Sequence, residues 1–160
     1  MPFKLTLPVR NTPRPRTHKG LPHVQLNVHP DPLIIKKMKK IIRSLPDIKP
    51  QNTRLAIPGS IGLWLDNNVK INREAVIAGR EFAHLHPDGS LHICLPENLV
   101  QEVIRKGWGE LYPLAKFTNR NNILLIYTPQ NEQEMRIISQ LLRISRKYAT
   151  MAPATFVNKA

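Results

Sequence analysis

The stretch at residues 80–95 decides the fold, and it reads Arg80-Glu81-Phe82-Ala83-His84-Leu85-His86-Pro87-Asp88-Gly89-Ser90-Leu91-His92-Ile93-Cys94-Leu95. Its centre, residues 86–89, fits a type I turn, because proline is favoured at the second position and glycine accepts a positive φ. A bulge after this turn completes a three-residue hairpin loop. In that register His86 faces Ser90 and His84 faces His92, so the stretch predicts a β-hairpin that carries three histidines.

Alternation along the two strands sorts these side chains onto two faces. We expect one face to belong to the core, and it carries Ala83, Leu85, Leu91, Ile93 and Leu95. The opposite face carries Phe82, His84, His86, Ser90, His92 and Cys94. The same alternation places Glu81 on the core-facing side, where a buried carboxylate needs a partner.

Three imidazoles on one face of a hairpin point to chemistry. Cross-strand Cβ atoms lie about 4.5–5.5 Å apart, so His84 and His92 can touch, with His86 two residues along. Three neutral imidazoles are sufficient ligands for zinc, iron or copper with an open position. Alternatively, clustered histidines disfavour one another's protonation, which suits a general base at neutral pH. A row of half-exposed histidines without chemistry is the third interpretation.

The segments around the hairpin alternate between helical and extended patterns. Caps and apolar spacing predict helices from Asp31-Pro32 to Pro46, from Pro96-Glu97 to Gly107 and from Asn131 through Ser145. Strands are predicted at Arg54–Ile57, Ile61–Leu65 and Asn122–Tyr127. The expected fold is therefore a single α+β domain, with a mainly antiparallel sheet, the histidine-bearing hairpin and about three packed helices.

Length and composition exclude several classes of protein. A chain of 160 residues is a normal size for one domain, and 41% apolar residues are enough for a core. Cys94 is the only cysteine, which excludes an internal disulfide framework and a multi-cysteine zinc site. The sequence has no apolar run of about 18 residues and no signal-peptide pattern at its start. We therefore expect a soluble, cytoplasmic protein.

The positive charge is concentrated in the first third of the chain. Residues 1–54 hold 12 of the 24 Lys and Arg but only two of the 11 acids. We expect residues 1–20 to form a basic, proline-rich arm, residues 21–152 the α+β domain and residues 153–160 a C-terminal tail. Such an arm could bind nucleic acid by displacing counterions, or it could be a solvated strap. Since only Phe3 is available there for base stacking, we favour the strap.

Several blocks of sequence resemble the fungal luciferase domain family, in the family's order and with similar gaps. They are Pro22-His23-Val24-Gln25-Leu26, Glu81-Phe82-Ala83-His84-Leu85-His86, Ser90-Leu91-His92, Lys106-Gly107-Trp108-Gly109, Pro113-Leu114-Ala115 and Tyr127-Thr128-Pro129-Gln130-Asn131-Glu132. The resemblance covers roughly residues 20–152. Two positions depart from it, since Tyr112 stands where the family commonly has histidine and Gln130 where it commonly has arginine.

The resemblance implies an oxygen-dependent reaction. Fungal luciferases oxidise a hydroxylated α-pyrone with molecular oxygen and release carbon dioxide and light, with no metal or organic cofactor generally invoked. By position, His84, His86 and His92 match histidines of the family motif, and we expect His84 or His92 to deprotonate an acidic enol. The expected substrate contacts are Arg80, Trp108, Tyr112 and His23.

The sequence thus predicts a luciferase-like oxidase or decarboxylase of an enolisable aromatic substrate, with oxygen as co-substrate and no cofactor. The alternative cofactor is a single transition metal held by His84, His86 and His92. Two alternative functions stay open: a non-catalytic module that binds a small ligand or metal, and a nucleic-acid-associated protein that uses the basic first third. The expected partner is a small aromatic or enol molecule, with no membrane.

Overall fold

Six strands and four α-helices form the part of the chain that the computed structural model describes, residues 3–152. The strands are β1 (Ile48–Asn52), β2 (Ile61–Leu65), β3 (Glu81–Leu85), β4 (Leu91–Cys94), β5 (Gly109–Leu111) and β6 (Ile123–Ile126). The helices are α1 (Pro32–Arg43), α2 (Glu97–Arg105), α3 (Ala115–Thr118) and α4 (Glu132–Thr150). None of these helices is long and apolar enough to cross a membrane. The tail predicted at residues 153–160 lies outside the described residues.

The six strands form one antiparallel sheet in the order β1-β2-β3-β4-β6-β5. The predicted α+β class with an antiparallel sheet is confirmed. Strands β3, β4 and β6 are buried along their whole length, because the middle of the sheet is covered on both faces. Helix α4 packs against β3 and β4 on one face, and His23 of the N-terminal segment contacts His92 on the other.

The hairpin of β3 and β4 has the predicted register. The Cα atom of His84 is paired with that of His92, and the backbone N–H of His86 donates to the carbonyl of Ser90 at 2.9 Å. The turn is closed by a hydrogen bond from the Gly89 N–H to the His86 carbonyl, at 3.0 Å. Gly89 has a φ of +89°, the left-handed conformation that this turn requires of its last residue. The register that groups the histidines is therefore set locally.

A β-bulge at the start of β3 changes the predicted faces there. Leu63 pairs with Ala83, but the next pair is Trp64 with Glu81, so Phe82 is the extra residue. Because a bulge shifts the alternation by one position, Glu81 lies with the histidines and not on the core-facing side. Phe82 belongs to the hydrophobic core and not to the histidine face. Both assignments made from strict alternation are wrong for this reason.

The predicted helices are confirmed as α1, α2 and α4. The side chain of Asp31 accepts a hydrogen bond from the N–H of Leu33 and caps α1. The side chain of Asn131 caps α4 by accepting from the Glu134 N–H at 2.9 Å. The side chains that α4 buries are Glu134, Met135, Ile138, Leu141, Leu142, Ser145 and Ala149. Most of this face is apolar, so α4 closes the core over β3 and β4.

The strand prediction is wrong at one segment and misses both edges of the sheet. Residues 54–57 form bends instead of a strand. Strand β1 lies just before them at one edge, is mostly exposed, and contains Pro50, which an edge position tolerates. Strand β5 is the other edge and has three residues. Neither edge strand has the apolar alternation that identifies a half-buried strand.

The N-terminal segment is anchored to the domain. Leu7 is buried, and the carbonyl of its neighbour Pro8 accepts a hydrogen bond from the indole of Trp108 at 2.8 Å. Arg10 is also buried and forms an ion pair with Glu134, with 3.2 Å between Nη2 and Oε2. Buried anchors therefore fix a segment whose other described residues are mostly exposed, and the solvated strap stays a prediction.

Candidate functional site

A cavity of about 580 Å³ opens on the histidine face of β3 and β4. Most of its walls are apolar. Its polar walls are His23, His84, His86, His92, Arg54, Arg120, Tyr112 and Thr118. No acidic side chain is found among the described residues that line it. A cavity of this size and composition suits a small, largely apolar molecule.

Three imidazoles beside the cavity form a chain between two carboxylates. His84 Nδ1 lies 2.9 Å from Glu81 Oε1, and His84 Nε2 lies 2.9 Å from His92 Nδ1. His92 Nε2 lies 3.0 Å from His23 Nδ1, and His23 Nε2 lies 2.7 Å from Glu110 Oε1. The hairpin positions two of these imidazoles, while the third comes from the N-terminal segment. The hydrogen-bonded row of imidazoles thus joins residues that are far apart in the sequence.

The inner carboxylate, Glu81, is fully buried at the bulge. Besides His84, it is contacted by the hydroxyl of Thr53 at 2.9 Å. The neighbouring strand approaches it at Gly62, where an added Cβ would lie 3.1 Å from Glu81 Oε2 and 2.9 Å from Trp64 Nε1. Position 62 must therefore lack a side chain for this carboxylate to reach the imidazole.

The outer carboxylate, Glu110, accepts several hydrogen bonds. Thr17 donates at 2.6 Å and the hydroxyl of Tyr127 at 3.0 Å, in addition to the His23 ring. Burial opposes ionisation of Glu110, but the hydrogen bonds from His23, Thr17 and Tyr127 outweigh it and lower its pKa to about 2. At neutral pH Glu110 is therefore a carboxylate anion, and it accepts the proton of His23 Nε2 at this end of the row of imidazoles.

The turn residues orient the remaining imidazole, His86. The Ser90 hydroxyl donates to Asp88 Oδ1 at 2.6 Å, so its oxygen accepts from His86 Nδ1 at 2.8 Å. The ring centroid of His86 lies 5.1 Å from that of His84 and 4.8 Å from that of His92. The ring of His86 therefore packs against those of His84 and His92. In the neutral ring of His86 the proton is on Nδ1, so Nε2 is unprotonated.

Burial keeps two of these histidines neutral at pH 7. Desolvation, with the adjacent His84, lowers the pKa of His86 to about 4. Desolvation also lowers the pKa of His92 well below its ordinary value of 6.5, and neighbouring His86 and His84 add to the effect. Each neutral ring offers one lone pair for a proton or a metal ion. The nitrogens that could hold a metal belong to His84, His86 and His92, and they lie within 4.8 Å of one another.

We expect the free energy of unfolding to fall as the pH drops from 6.5 to 4. His86 has a pKa of about 4 when folded and about 6.5 when unfolded, so in this range the unfolded chain binds the additional proton. The stabilisation is complete above pH 6.5 and is lost through pH 4, by up to about 3 kcal/mol. Urea titrations of chelator-treated protein at several pH values measure the free energy of unfolding, and His86→Gln should reduce its dependence on pH. An unchanged dependence on pH would contradict the lowered pKa of His86.

The structure places two of the predicted substrate contacts at the cavity and two elsewhere. His23 and Tyr112 line it, with their ring centroids 6.2 Å apart. Arg80 instead donates to the backbone carbonyls of Leu65, Asp66 and Val69. Trp108 is buried in the core, where its indole is bonded to the N-terminal segment. Neither Arg80 nor Trp108 is among the described residues that line the cavity, and both make hydrogen bonds that hold the fold.

Trp108→Phe is expected to lower the free energy of unfolding by about 1–3 kcal/mol, because it removes the indole N–H and leaves the Pro8 carbonyl without that donor. Urea denaturation measures the loss. The affinity of the cavity for a bound molecule should not change. A fall in the affinity for the bound molecule with an unchanged free energy of unfolding would contradict this prediction and indicate that Trp108 contacts the bound molecule.

Four groups at or near the site were not identified from the sequence. Glu110 and Arg120 carry no motif, and only the fold brings them beside residues far away in the chain. Glu81 was recognised but placed on the wrong face. Arg54 was assigned to a strand, and it lies on the cavity wall. Cys94 is buried on the histidine face, and burial raises the pKa of its thiol to about 12, so it is not a reactive thiol at neutral pH.

Comparison with known proteins finds a family model that matches the part of the chain holding most of this site. The model of the Luciferase domain matches residues 79–145, which contain the three hairpin histidines, Glu110 and Arg120. His23 lies outside that range. No solved structure matches the chain.

The similar curated proteins are fungal luciferases. The chain is 29% identical to a luciferase of Armillaria gallica, in an alignment that covers 94% of this chain and 64% of that protein. It is 28% identical to a luciferase of Armillaria ostoyae, in an alignment that covers 92% of this chain and 63% of that protein. A shorter match, 35% identical over 86 residues, is to a luciferase of Neonothopanus nambi and covers 47% and 30%. The chain thus spans less than two thirds of the length of these relatives, and the resemblance seen in its sequence blocks is confirmed.

Proposed function

We propose that the chain is a luciferase-like enzyme that oxidises a small enolisable molecule with molecular oxygen, since residues 79–145 match the model of the Luciferase domain. The observation that carries the proposal is the chain of His84, His92 and His23 between two carboxylates, beside an apolar cavity. Oxygen is the proposed co-substrate, and no organic cofactor is proposed.

The facing nitrogens of His84 and His92 are the proposed acceptor of the enol proton. They lie 2.9 Å apart, so a proton bound between them is shared by both rings. Glu81 and Glu110, at the two ends of the chain, stabilise the positive charge that the proton adds. This arrangement favours removal of a proton from a bound acid at neutral pH.

The enolate is the proposed electron donor to oxygen. Its carbon forms a bond to dioxygen, which is reduced to the level of a peroxide, and the proton held by the imidazoles goes to the terminal peroxide oxygen. The product contains all atoms of the enol and of dioxygen. A hydroperoxide next to an ester carbonyl can attack that carbonyl, give its proton to the departing ester oxygen and form a four-membered peroxide ring. Breakage of the O–O and C–C bonds of this ring gives carbon dioxide and a ketone, and the family resemblance implies such a release of carbon dioxide.

Arg120, one of the two arginines on the cavity wall, suggests which substrates fit. It donates to the carbonyl of Val76 and lies 3.8 Å from Cys94 Sγ. Cys94 follows His92 by two residues on β4, which is about 7 Å along the strand. No acidic side chain among the described lining residues neutralises this guanidinium. The proposed substrate is therefore a mostly apolar enol with an anionic group about 7 Å from its acidic proton.

Arg120→Leu is expected to raise KM for a carboxylated enol about 10- to 100-fold, because a hydrogen bond to a charged group contributes about 1.5–3 kcal/mol. KM for the matching uncharged carboxamide should change much less. Steady-state oxygen uptake on both substrates measures the difference. Lys116→Ala, at an exposed position on α3 outside the cavity, is the matched control. Equal changes in KM for both substrates would contradict the anchoring role.

Oxygen uptake with a panel of hydroxylated α-pyrones and catechols tests the proposed function. We expect substrate-dependent uptake by the unmodified chain and by His29→Ala, since His29 is exposed and does not line the cavity. No uptake across the panel by folded protein would overturn the enzyme. If such protein still bound panel members, as measured by calorimetry, the non-catalytic binding module would replace it.

A further inference from the structure

The residues around the histidine cluster determine where its imidazole protons lie. A carboxylate oxygen has no proton to donate, so Glu81 holds the proton of His84 on Nδ1, and Glu110 holds that of His23 on Nε2. His23 Nδ1 and His84 Nε2 are then both acceptors, so a neutral His92 ring can donate to only one of them, and one of the two contacts is left with no proton. Donation from His92 Nε2 to His23 leaves the contact with His84 without a proton. Each of the three neutral rings has now used its single proton.

The fourth ring, His86, is fixed in the same way by the turn. The Ser90 hydroxyl donates its proton to Asp88, so it accepts from His86 Nδ1. The nitrogens left without a proton are Nε2 of His84, Nε2 of His86 and Nδ1 of His92. Three lone pairs therefore converge beside the cavity.

Two of these lone pairs face each other at short range. His84 Nε2 and His92 Nδ1 are 2.9 Å apart, and no proton of the neutral rings is available to lie between them. Two facing lone pairs repel unless a cation is shared by both nitrogens. Metal–imidazole bonds of about 2.0–2.1 Å place two neighbouring ligand nitrogens about 3 Å apart at a right angle. The observed separation fits two ligands of one metal ion.

We propose that His84, His86 and His92 form a binding site for one divalent first-row transition metal ion. The three ligand atoms lie within 4.8 Å of one another, and sharing one ion requires at most about 4.2 Å, twice a metal–nitrogen bond. A small rotation of the imidazole rings closes that difference. An all-imidazole set suits iron, copper, nickel or zinc, and the cavity supplies the open coordination position.

The surroundings of the three ligands also have the form of a metal centre. Ligand histidines in proteins usually donate their second N–H to a carboxylate, a carbonyl or another fixed acceptor, which sets the tautomer. Here Glu81 accepts the second N–H of His84, Ser90 that of His86 and His23 that of His92. Each ligand is therefore oriented from behind by a residue that does not itself approach the ion.

The inference rests on the site of the proposed function, and it changes one element of it. The same lone pairs accept either a proton or a metal ion. With the ion bound, the enol would lose its proton to solvent at the open mouth of the cavity and its oxygen would occupy the open position. The positive charge of the ion would then take the place of the shared proton in stabilising the enolate.

Titration of chelator-treated full-length protein with Co²⁺, followed by visible absorption, tests the site. We expect one ion per chain, with competition by Zn²⁺, and binding weakened at least about 100-fold in His86→Ala and in His92→Gln. His29→Ala is the matched control and should bind as the unmodified chain does. Glu81→Gln keeps all three ligands and should weaken binding about 10- to 100-fold.

Two results would overturn the metal site. One is the absence of stoichiometric Co²⁺ binding by protein whose circular dichroism is that of the folded chain. The other is unchanged affinity in His86→Ala. Oxygen uptake by chelated protein that binds no Co²⁺ would reject the metal and leave the proposed enzyme in place. Stoichiometric binding without uptake on the substrate panel would reject the enzyme and keep the metal.

Discussion

His92→Ala is expected to lower substrate-dependent oxygen uptake at least about 100-fold, the effect typical of removing a positioned acid–base group. His92 contacts His84 through one ring nitrogen and His23 through the other, so its loss separates Glu81 from Glu110. Either a shared proton or a metal ion would lose the same nitrogen. Uptake rates at saturating substrate measure the effect.

Two comparisons make this result specific. His29→Ala should keep full activity, since that histidine is exposed and lies outside the cavity. His92→Gln retains a polar side chain and should also be inactive, because an amide is not a base at neutral pH. Thermal unfolding of each variant establishes that it is folded. Uptake within about threefold of the unmodified chain in folded His92→Ala would remove the histidine chain from the proposed reaction.

Glu134→Ala is expected to lower the free energy of unfolding by about 3–5 kcal/mol, because removing one partner of a buried ion pair leaves the other charge uncompensated. The remaining charge is Arg10, which lies 3.2 Å from Glu134 and is 8% exposed. Burial lowers the pKa of Arg10, and the Glu134 carboxylate opposes that effect. The substitution also removes the acceptor for the Gln130 N–H. Urea denaturation with an unchanged slope measures the loss.

An exposed ion pair that joins α1 to α4 provides the matched control. Lys37 pairs with Glu132, and both side chains are largely exposed. Lys37→Ala should therefore cost less than about 1 kcal/mol. Replacing both buried partners, in Arg10→Met with Glu134→Leu, should recover part of the stability because no charge is then left unpaired. A loss below about 1 kcal/mol in Glu134→Ala would show that Arg10 does not anchor the N-terminal segment.

The histidine hairpin was predictable because its information is local. His86-Pro87-Asp88-Gly89 defines a turn within four residues, and alternation then carries the register outward to His84 and His92. Helices α1 and α4 were predictable for the same reason, since their capping residues lie next to the first turn. Blocks of residues at fixed spacing also predicted the resemblance to the Luciferase domain, whose model matches residues 79–145.

The errors occur where a neighbouring strand decides the conformation. The bulge at Phe82 forms only because β2 and β3 pair out of step, and nothing in the sequence of β3 marks it. It turns Glu81 toward His84 and so supplies one end of the histidine chain. Edge strand β1 likewise depends on its partner β2, since most of its own residues are exposed.

The sequence by itself determined the hairpin, the α+β class and three imidazoles on one face, because turn chemistry and strand alternation act over a few residues. Only the tertiary structure decided which other residues lie beside that face. His23, Glu110 and Arg120 reach it from distant parts of the chain. Arg80 and Trp108 donate to backbone carbonyls away from this face. The physical reason is that hydrogen bonding and burial depend on distance in space, which local sequence patterns do not specify.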